Sequence, residues 1–255
     1  MGRISGLFDK KENNILNIYY TAGYPTLHST MTILRELQQA GADMVELGMP
    51  YSDPLADGPV IQHSSSIALA NGMTIQRLFD QLKDMRNEIH IPVILMGYMN
   101  PVLQFGFERF CAAAAAVGVD GLIIPDLPGY EFETEYGAII RKHQLDFIFL
   151  VTPETSTDRI RDLDRLSSGF LYAVSSSSTT GSDKDMTTVN AYLDRLKGLG
   201  LKNRVLVGFG IRDRNSFVQA CAHADGAIIG TAFVKALENT DDEAETVKQF
   251  IKSIL

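Results

Sequence analysis

Residues 44–62, MVELGMPYSDPLADGPVIQ, begin as an apolar run broken by one acid and pass at once into a segment crowded with proline, glycine and aspartate. The run is too short for a helix and apolar on both parities, as a strand covered on both faces would be. Seven other runs share this character: ILNIYYTA from 15, PVILMGY from 92, GLIIPD from 121, DFIFLVTP from 146, FLYAVSSS from 170, RVLVGFG from 204 and GAIIGT from 226. Between them lie amphipathic stretches such as TMTILRELQQAG, RFCAAAAAVG and TVNAYLDRLKGLG, the last two ending at glycine as helices prefer. The C-terminal DDEAETVKQFIKSIL places acids in its first turn and lysines later, matching the helix dipole.

Eight strand–helix units in 255 residues is the size and rhythm of an α/β fold of the (β/α)8, or TIM-barrel, type, one domain over residues 1–255. A doubly wound open sheet competes, but it needs fewer strands and a Gly-rich fingerprint after its first strand, which TAGYP is not. GRISGLFDKK, ahead of the first strand, is predicted to be an extra helix closing the barrel's bottom. Most units run 22 to 29 residues, whereas the second takes 48 and the sixth 34. That surplus is expected at the carboxyl face, where barrel enzymes keep their chemistry.

A formal net charge of -8 and the absence of any Lys/Arg cluster exclude a nucleic-acid-binding surface. MGRISGLFDKKENN lacks the apolar core of a signal peptide, and no apolar run approaches a membrane span. Cys111 and Cys221 lie far apart in Ala-rich, helix-like contexts, and both read as reduced, buried residues of a cytoplasmic protein.

Glu46 sits mid-strand on the same face as Met44 and Gly48. A carboxylate among apolar neighbours is either paired or accepts a raised pKa, and a raised pKa suits a proton donor near neutrality. A purely structural partner would satisfy it equally well. Asp53 and Asp57, before Pro and Gly respectively, either shape a turn through side-chain-to-backbone bonds or do chemistry. Three acids within a dozen residues raise the question of a metal, but the spacing is not that of a calcium loop and only His63 offers a nearby nitrogen. No metal is expected.

Two later strands end in glycines leading into helix-like segments, VGFGIRD with Gly208 and Gly210, and IIGTAFVKAL with Gly230 and Thr231. In a barrel the loops after strands 7 and 8 form the usual phosphate site, whose backbone N–H groups need no lysine. SSSSTTGSDKD, residues 175–185, is either a disordered loop or a lid, and Gly181 would serve closure.

Together these residues resemble the tryptophan synthase α-subunit family. ELGMPYSDPLADGPVIQ carries its signature, and YYTAGYP, LMGYMNP, GLIIPDLP, TTG, VGFGI and GTAFVK follow in family order along essentially the whole chain. The resemblance implies a (β/α)8 barrel with an extra N-terminal helix. It also implies retro-aldol cleavage of indole-3-glycerol phosphate to indole and D-glyceraldehyde 3-phosphate, without metal or cofactor in this chain. On the family pattern Glu46 is the acid–base group, and Asp57 accepts from the indole N–H. Tyr172 stands near the catalytic Glu, and Thr180 helps close the lid over Asp57. Tyr19, Met96, Ile123 and Phe209 build the indole pocket; Gly181, Gly210, Gly230 and Thr231 hold phosphate. Asp53, Pro54, Asn100 and Pro128 face the partner, a β subunit that carries the pyridoxal phosphate and joins the α chain in an α2β2 heterotetramer. The chain departs from the family at Thr231, where Ser is common, at Ser178, in place of a lid Gly, and at Tyr24, in place of a frequent Asp.

Related phosphate-binding barrels would be expected to carry a catalytic Lys in a strand or a different acid pair, and the eight runs contain no Lys. A scaffold that only activates a β subunit would not need both Glu46 and Asp57. A lyase that works alone and releases free indole would share the same sequence features.

Overall fold

A computed structural model describes residues 2–174, 186–208 and 210–255. Nine parallel strand segments among these residues form one sheet: β1 (Ile15–Thr21), β2 (Met44–Gly48), β3 (Val93–Met96), β4 (Gly121–Ile123), β5 (Asp146–Phe147), β6 (Leu150–Val151), β7 (Phe170–Val174), β8 (Arg204–Gly208) and β9 (Gly226–Ile229). The spatial order is β5-β4-β3-β2-β1-β9-β8-β7-β6, so the outermost segments are the two ends of one run, 146–151. That run, expected as one strand, bonds to β4 through its first half and to β7 through its second. Between the halves, Ile148 N–H donates to Leu122 O and Phe149 O accepts from Tyr172 N–H. The ring therefore closes through the run, and the (β/α)8 barrel stands.

Both faces of the strands are covered, which is why the runs are continuously apolar. One cluster lies inside the barrel and includes Ile15, Met44, Ile94, Phe170 and Leu206; a larger one joins the outward residues to the helices. The helix Arg3–Lys10 packs Ile4 and Phe8 into the inner cluster beside residues that begin strands, closing the bottom as expected.

The amino end is also held by a recurring device that the sequence reading did not register. Asp43, Asp120 and Asp225 each directly precede a strand and grip the start of its neighbour. Their carboxylates accept from Leu16 N–H at 2.8 Å, Val93 N–H at 2.8 Å and Val205 N–H at 2.7 Å. Each is also paired with a cation, Asp120 with both Arg3 and Arg86.

The surplus of the second unit is only partly loop. After residues 49–58 come two helices, Pro59–Ala70 and Ile75–Leu82, so much of the extra length is helix. Pro59 opens the first of them at a position whose N–H needs no partner. The sixth unit's surplus, including Ser178, Thr180 and Gly181, lies outside the described residues, as does Phe209. Cys111 is buried, but Cys221 is only half-buried, a correction to the expectation for both.

Candidate active site

β2 is buried along its whole length, and Glu46 is fully buried at its centre. Its ladder partners are Tyr19 on β1 and Ile94 on β3. One contact satisfies it: Asn17 Nδ2 donates to Oε1 at 2.7 Å, and Oε2 has no partner among the described residues. Burial pushes the Glu46 carboxyl up to about 8, against the opposing pull of the Asn17 bond. The acid is therefore protonated at neutral pH.

Asp57 follows in the loop after β2, partly buried. Its Oδ2 accepts from the Tyr98 hydroxyl at 3.0 Å, and that hydroxyl accepts in turn from Ala56 N–H at 3.0 Å. Burial pushes Asp57 up to about 6, and the Tyr98 bond restrains the rise. The neighbouring Asp53 is exposed, bonded to the Ser52 hydroxyl, with its backbone O accepting from Leu55 N–H at 2.9 Å. Turn formation accounts for Asp53; Asp57 is built into the barrel mouth.

Tyr19 and Tyr172 are both buried, and burial is the main cause of their strongly raised pKa values. The negative charges of Asp57 and Glu46 add to the rise at both residues. Both tyrosines therefore lie within electrostatic reach of both acids. Met96 and Ile123 are neighbours across β3 and β4, and Met96 pairs with Gly48 on β2. Of the expected indole pocket, Tyr19 thus stands level with Glu46, and Met96 and Ile123 stand level with Gly48 on the next two strands.

β8 and β9 are adjacent, so Gly210 and Gly230 leave the same end of the barrel side by side. Gly210 has φ 80°, in the left-handed region that favours glycine, and open space where a Cβ would stand. Gly230 is the N-cap of Thr231–Ala236 and Thr231 its first residue. On the rim, Asp53, Asn100 and Pro128 are exposed, with Leu55 and Tyr130 exposed beside them, whereas Pro54 is buried. Asn100 donates to the Tyr51 hydroxyl at 2.9 Å, and the Tyr51 ring packs 5.4 Å from that of Tyr98.

Asn17 and Tyr98 are site residues that the sequence reading missed. An amide at inward parity within ILNIYYTA was a visible anomaly. Nothing in GYMNP sets Tyr98 apart from any aromatic at a strand end.

Two carboxyl groups raised by burial, Glu46 within β2 and Asp57 in the loop after it, sit in a closed parallel barrel of the (β/α)8 class, an arrangement suited to acid–base chemistry. The family model described as tryptophan synthase alpha chain matches residues 6–254. The tryptophan synthase alpha chain of Parabacteroides distasonis is 49% identical over 255 residues, covering 100% of this chain and 99% of the relative. That of Flavobacterium johnsoniae is 49% identical over 246 residues, 96% of each chain. Among solved structures, tryptophan synthase subunit alpha from Legionella pneumophila superposes with TM-score 0.91 at 32% identity, covering 100% of this chain and 97% of that one. The A-subunit from Pyrococcus furiosus gives 0.87 at 34%, covering 95% and 98%. The chain belongs to the tryptophan synthase alpha chain family. It is accordingly a carbon–carbon lyase of tryptophan biosynthesis that cleaves indole-3-glycerol phosphate.

Proposed function

We propose that Glu46 and Asp57 divide the chemistry of that cleavage between them. The observation that carries this reading is the inequality of the two acids, Glu46 pushed up to about 8 and Asp57 only to about 6. At pH 7 one carboxyl is an acid and the other a carboxylate, the pattern that assigns acid and base roles in a shared site. An aromatic carbon is a poor leaving group. Protonation of indole C3 by Glu46 gives an indolenine, whose C=N accepts the electrons of the breaking C–C bond. The substrate's 3′-hydroxyl then loses its proton to Glu46, and D-glyceraldehyde 3-phosphate and indole part. Asp57 accepts from the indole N–H as positive charge develops on the ring, an interaction strongest in the transition state.

Tyr172 flanks Glu46, and Tyr19, Met96 and Ile123 enclose the indole; Phe209, outside the described residues, takes the indole-pocket role that the family resemblance implies. Gly210, Gly230 and Thr231 hold the phosphate by backbone N–H and hydroxyl donors; Gly181 and Thr180, outside the described residues, take the phosphate-binding and lid roles that the family resemblance implies. The rim residues Asp53, Pro54, Asn100 and Pro128 belong to the face that meets a β subunit in an α2β2 assembly; Pro54, being buried, shapes that face from beneath. The pyridoxal phosphate used to consume indole is that subunit's, and this chain needs no cofactor of its own. The pair works in the cytoplasm.

The test is release of glyceraldehyde 3-phosphate from indole-3-glycerol phosphate, with and without a matching β subunit, for the parent chain and for Glu46→Gln and Asp57→Asn. Slow turnover alone, a large rise with partner and near loss in both variants is the expected result. Parental turnover in either variant removes that residue from the mechanism.

A further inference from the structure

Asn17 is fully buried on β1, facing inward with Ile15. Its ladder partners are Met44 on β2 and Ile228 on β9, both apolar and buried. An amide at such a position is costly unless its hydrogen-bonding capacity is used. Here that capacity is half used. Nδ2 donates to Glu46 Oε1, while Oδ1 is buried with no partner among the described residues. Packing alone would be better served by a leucine. The one side-chain bond that Asn17 makes among the described residues goes to the acid, and the breach of the local rule falls where function is expected to impose one.

A neutral carboxyl has one oxygen that only accepts and one that carries the proton. An N–H bonded to Oε1 makes Oε1 the accepting oxygen, so the proton of neutral Glu46 rests on Oε2. When the acid is ionised, the amide still occupies Oε1 and Oε2 remains open to receive a proton. We propose that Asn17 is a positioning residue for the cleavage, clamping Glu46 through Oε1 in both protonation states and so confining proton exchange with the substrate to Oε2. The proposal rests on the acid–base role of Glu46 given above.

The surroundings leave this task to Asn17. Among the described residues, the titratable groups that couple to Glu46 are Tyr19 on β1 and Tyr172 on β7, both held neutral by burial. Asp57 acts on those same two tyrosines from the loop after β2. Burial drives Glu46 upward, and the Asn17 amide is the group that opposes it.

The experiment measures kcat and KM for indole-3-glycerol phosphate across pH 6 to 10, a range of about two pH units either side of the Glu46 value. It compares the parent with Asn17→Leu, Asn17→Ser and Glu46→Gln. With Asn17→Leu, kcat is expected to fall on the order of 10- to 100-fold, the scale seen when a hydrogen-bond partner that orients a metal-binding side chain is lost. KM stays near parental, and the alkaline limb of kcat moves to higher pH because a donor that favoured the carboxylate is gone. Asn17→Ser keeps a shorter donor and recovers part of both changes. A parental kcat and limb in Asn17→Leu overturns the proposal, as does lowered stability with an unmoved limb. Retained turnover in Glu46→Gln instead overturns the acid–base role itself, so the two failures are distinct. Should the Asn17 variants not fold, an infrared titration of the unaltered chain with carboxyl-labelled glutamate decides, with Glu46→Gln subtracted. A neutral acid whose C=O stretch is lowered by one hydrogen bond supports the clamp, and a free buried C=O stretch overturns it.

Discussion

The Tyr19 hydroxyl lies so close across Gly48 that a Cβ on that glycine would stand 2.2 Å from it. Tyr172 bears the same relation to Gly208, again at 2.2 Å. In both pairs the tyrosine's ladder partner lies two residues before the glycine, Glu46 in one case and Leu206 in the other. Each ring therefore slants across the next strand toward the carboxyl end. Gly48→Ala must displace the Tyr19 ring, whose Cζ would also lie 2.6 Å from the new methyl. Overpacking of this kind costs about 1–3 kcal/mol. The cost is expected to be coupled to Tyr19: in a double-mutant cycle with Tyr19→Leu, urea denaturation should show an interaction of about 0.5–3 kcal/mol. Additive effects would mean that the ring is not what fills the space over Gly48.

Tyr98→Phe tests what holds Asp57. The hydroxyl donates to Oδ2 and accepts from Ala56 N–H, so its loss loosens both the carboxylate and the loop that carries it. The Tyr98 bond lowers a carboxyl that burial has pushed up to about 6. Without it Asp57 moves higher, and less of it is ionised at pH 7. The acid limb of kcat should shift upward, with turnover several-fold lower at pH 7 and nearer to parental at pH 8. A pH–rate profile of the two proteins decides, and an unmoved limb would separate Tyr98 from the titration of Asp57.

The barrel was legible because its signals are local. A strand buried on both faces shows as an unbroken apolar run, and a helix ending in the left-handed region shows as glycine, as at Gly118 and Gly200. Glu46 was legible for a related reason: a charge at inward parity in such a run is a chemical anomaly. Asn17 is the same anomaly without a charge, and its meaning depends on β1 lying beside β2, which no local pattern states. The contacts that join distant residues were illegible as a group. Tyr98 reaches Asp57 across 41 positions, and Asp120 reaches Arg3 across 117. The split of 146–151 is likewise a property of pairing, since each half bonds on a different side.

Asp120 anchors the amino end, remote from the chemistry. Its carboxylate, 6% exposed, accepts from Arg3, Arg86 and Val93 N–H. Asp120→Ala leaves Arg86 half-stranded and a strand N–H unbonded, and should cost about 3 kcal/mol. Asp120→Asn keeps an acceptor for Val93 and should cost less. Because the carboxyl face is untouched, kcat of the folded fraction should stay parental in both. Equilibrium denaturation beside turnover at 25 °C checks this, and a fall in kcat matching the fall in stability would tie the two ends of the barrel together.

Glu46 carries a stability cost whose sign follows from its titration. Its folded-state pKa, about 8, is raised by burial above the ordinary glutamate value of 4.5. A carboxyl raised in this way binds its proton more tightly in the folded chain than in the unfolded one. Its favourable contribution is complete below 4.5 and is lost as pH rises through about 8, where burying the carboxylate becomes a liability. Glutamine has the same shape, cannot ionise, and still offers an oxygen to Asn17 Nδ2. Glu46→Gln should therefore lack lyase activity yet be the more stable protein at pH 9, by on the order of a few kcal/mol. The advantage should shrink steadily toward pH 5. Urea denaturation of both chains at intervals across that range measures it. A pH-independent difference would mean that Glu46 does not titrate between the folded and unfolded states as its burial requires.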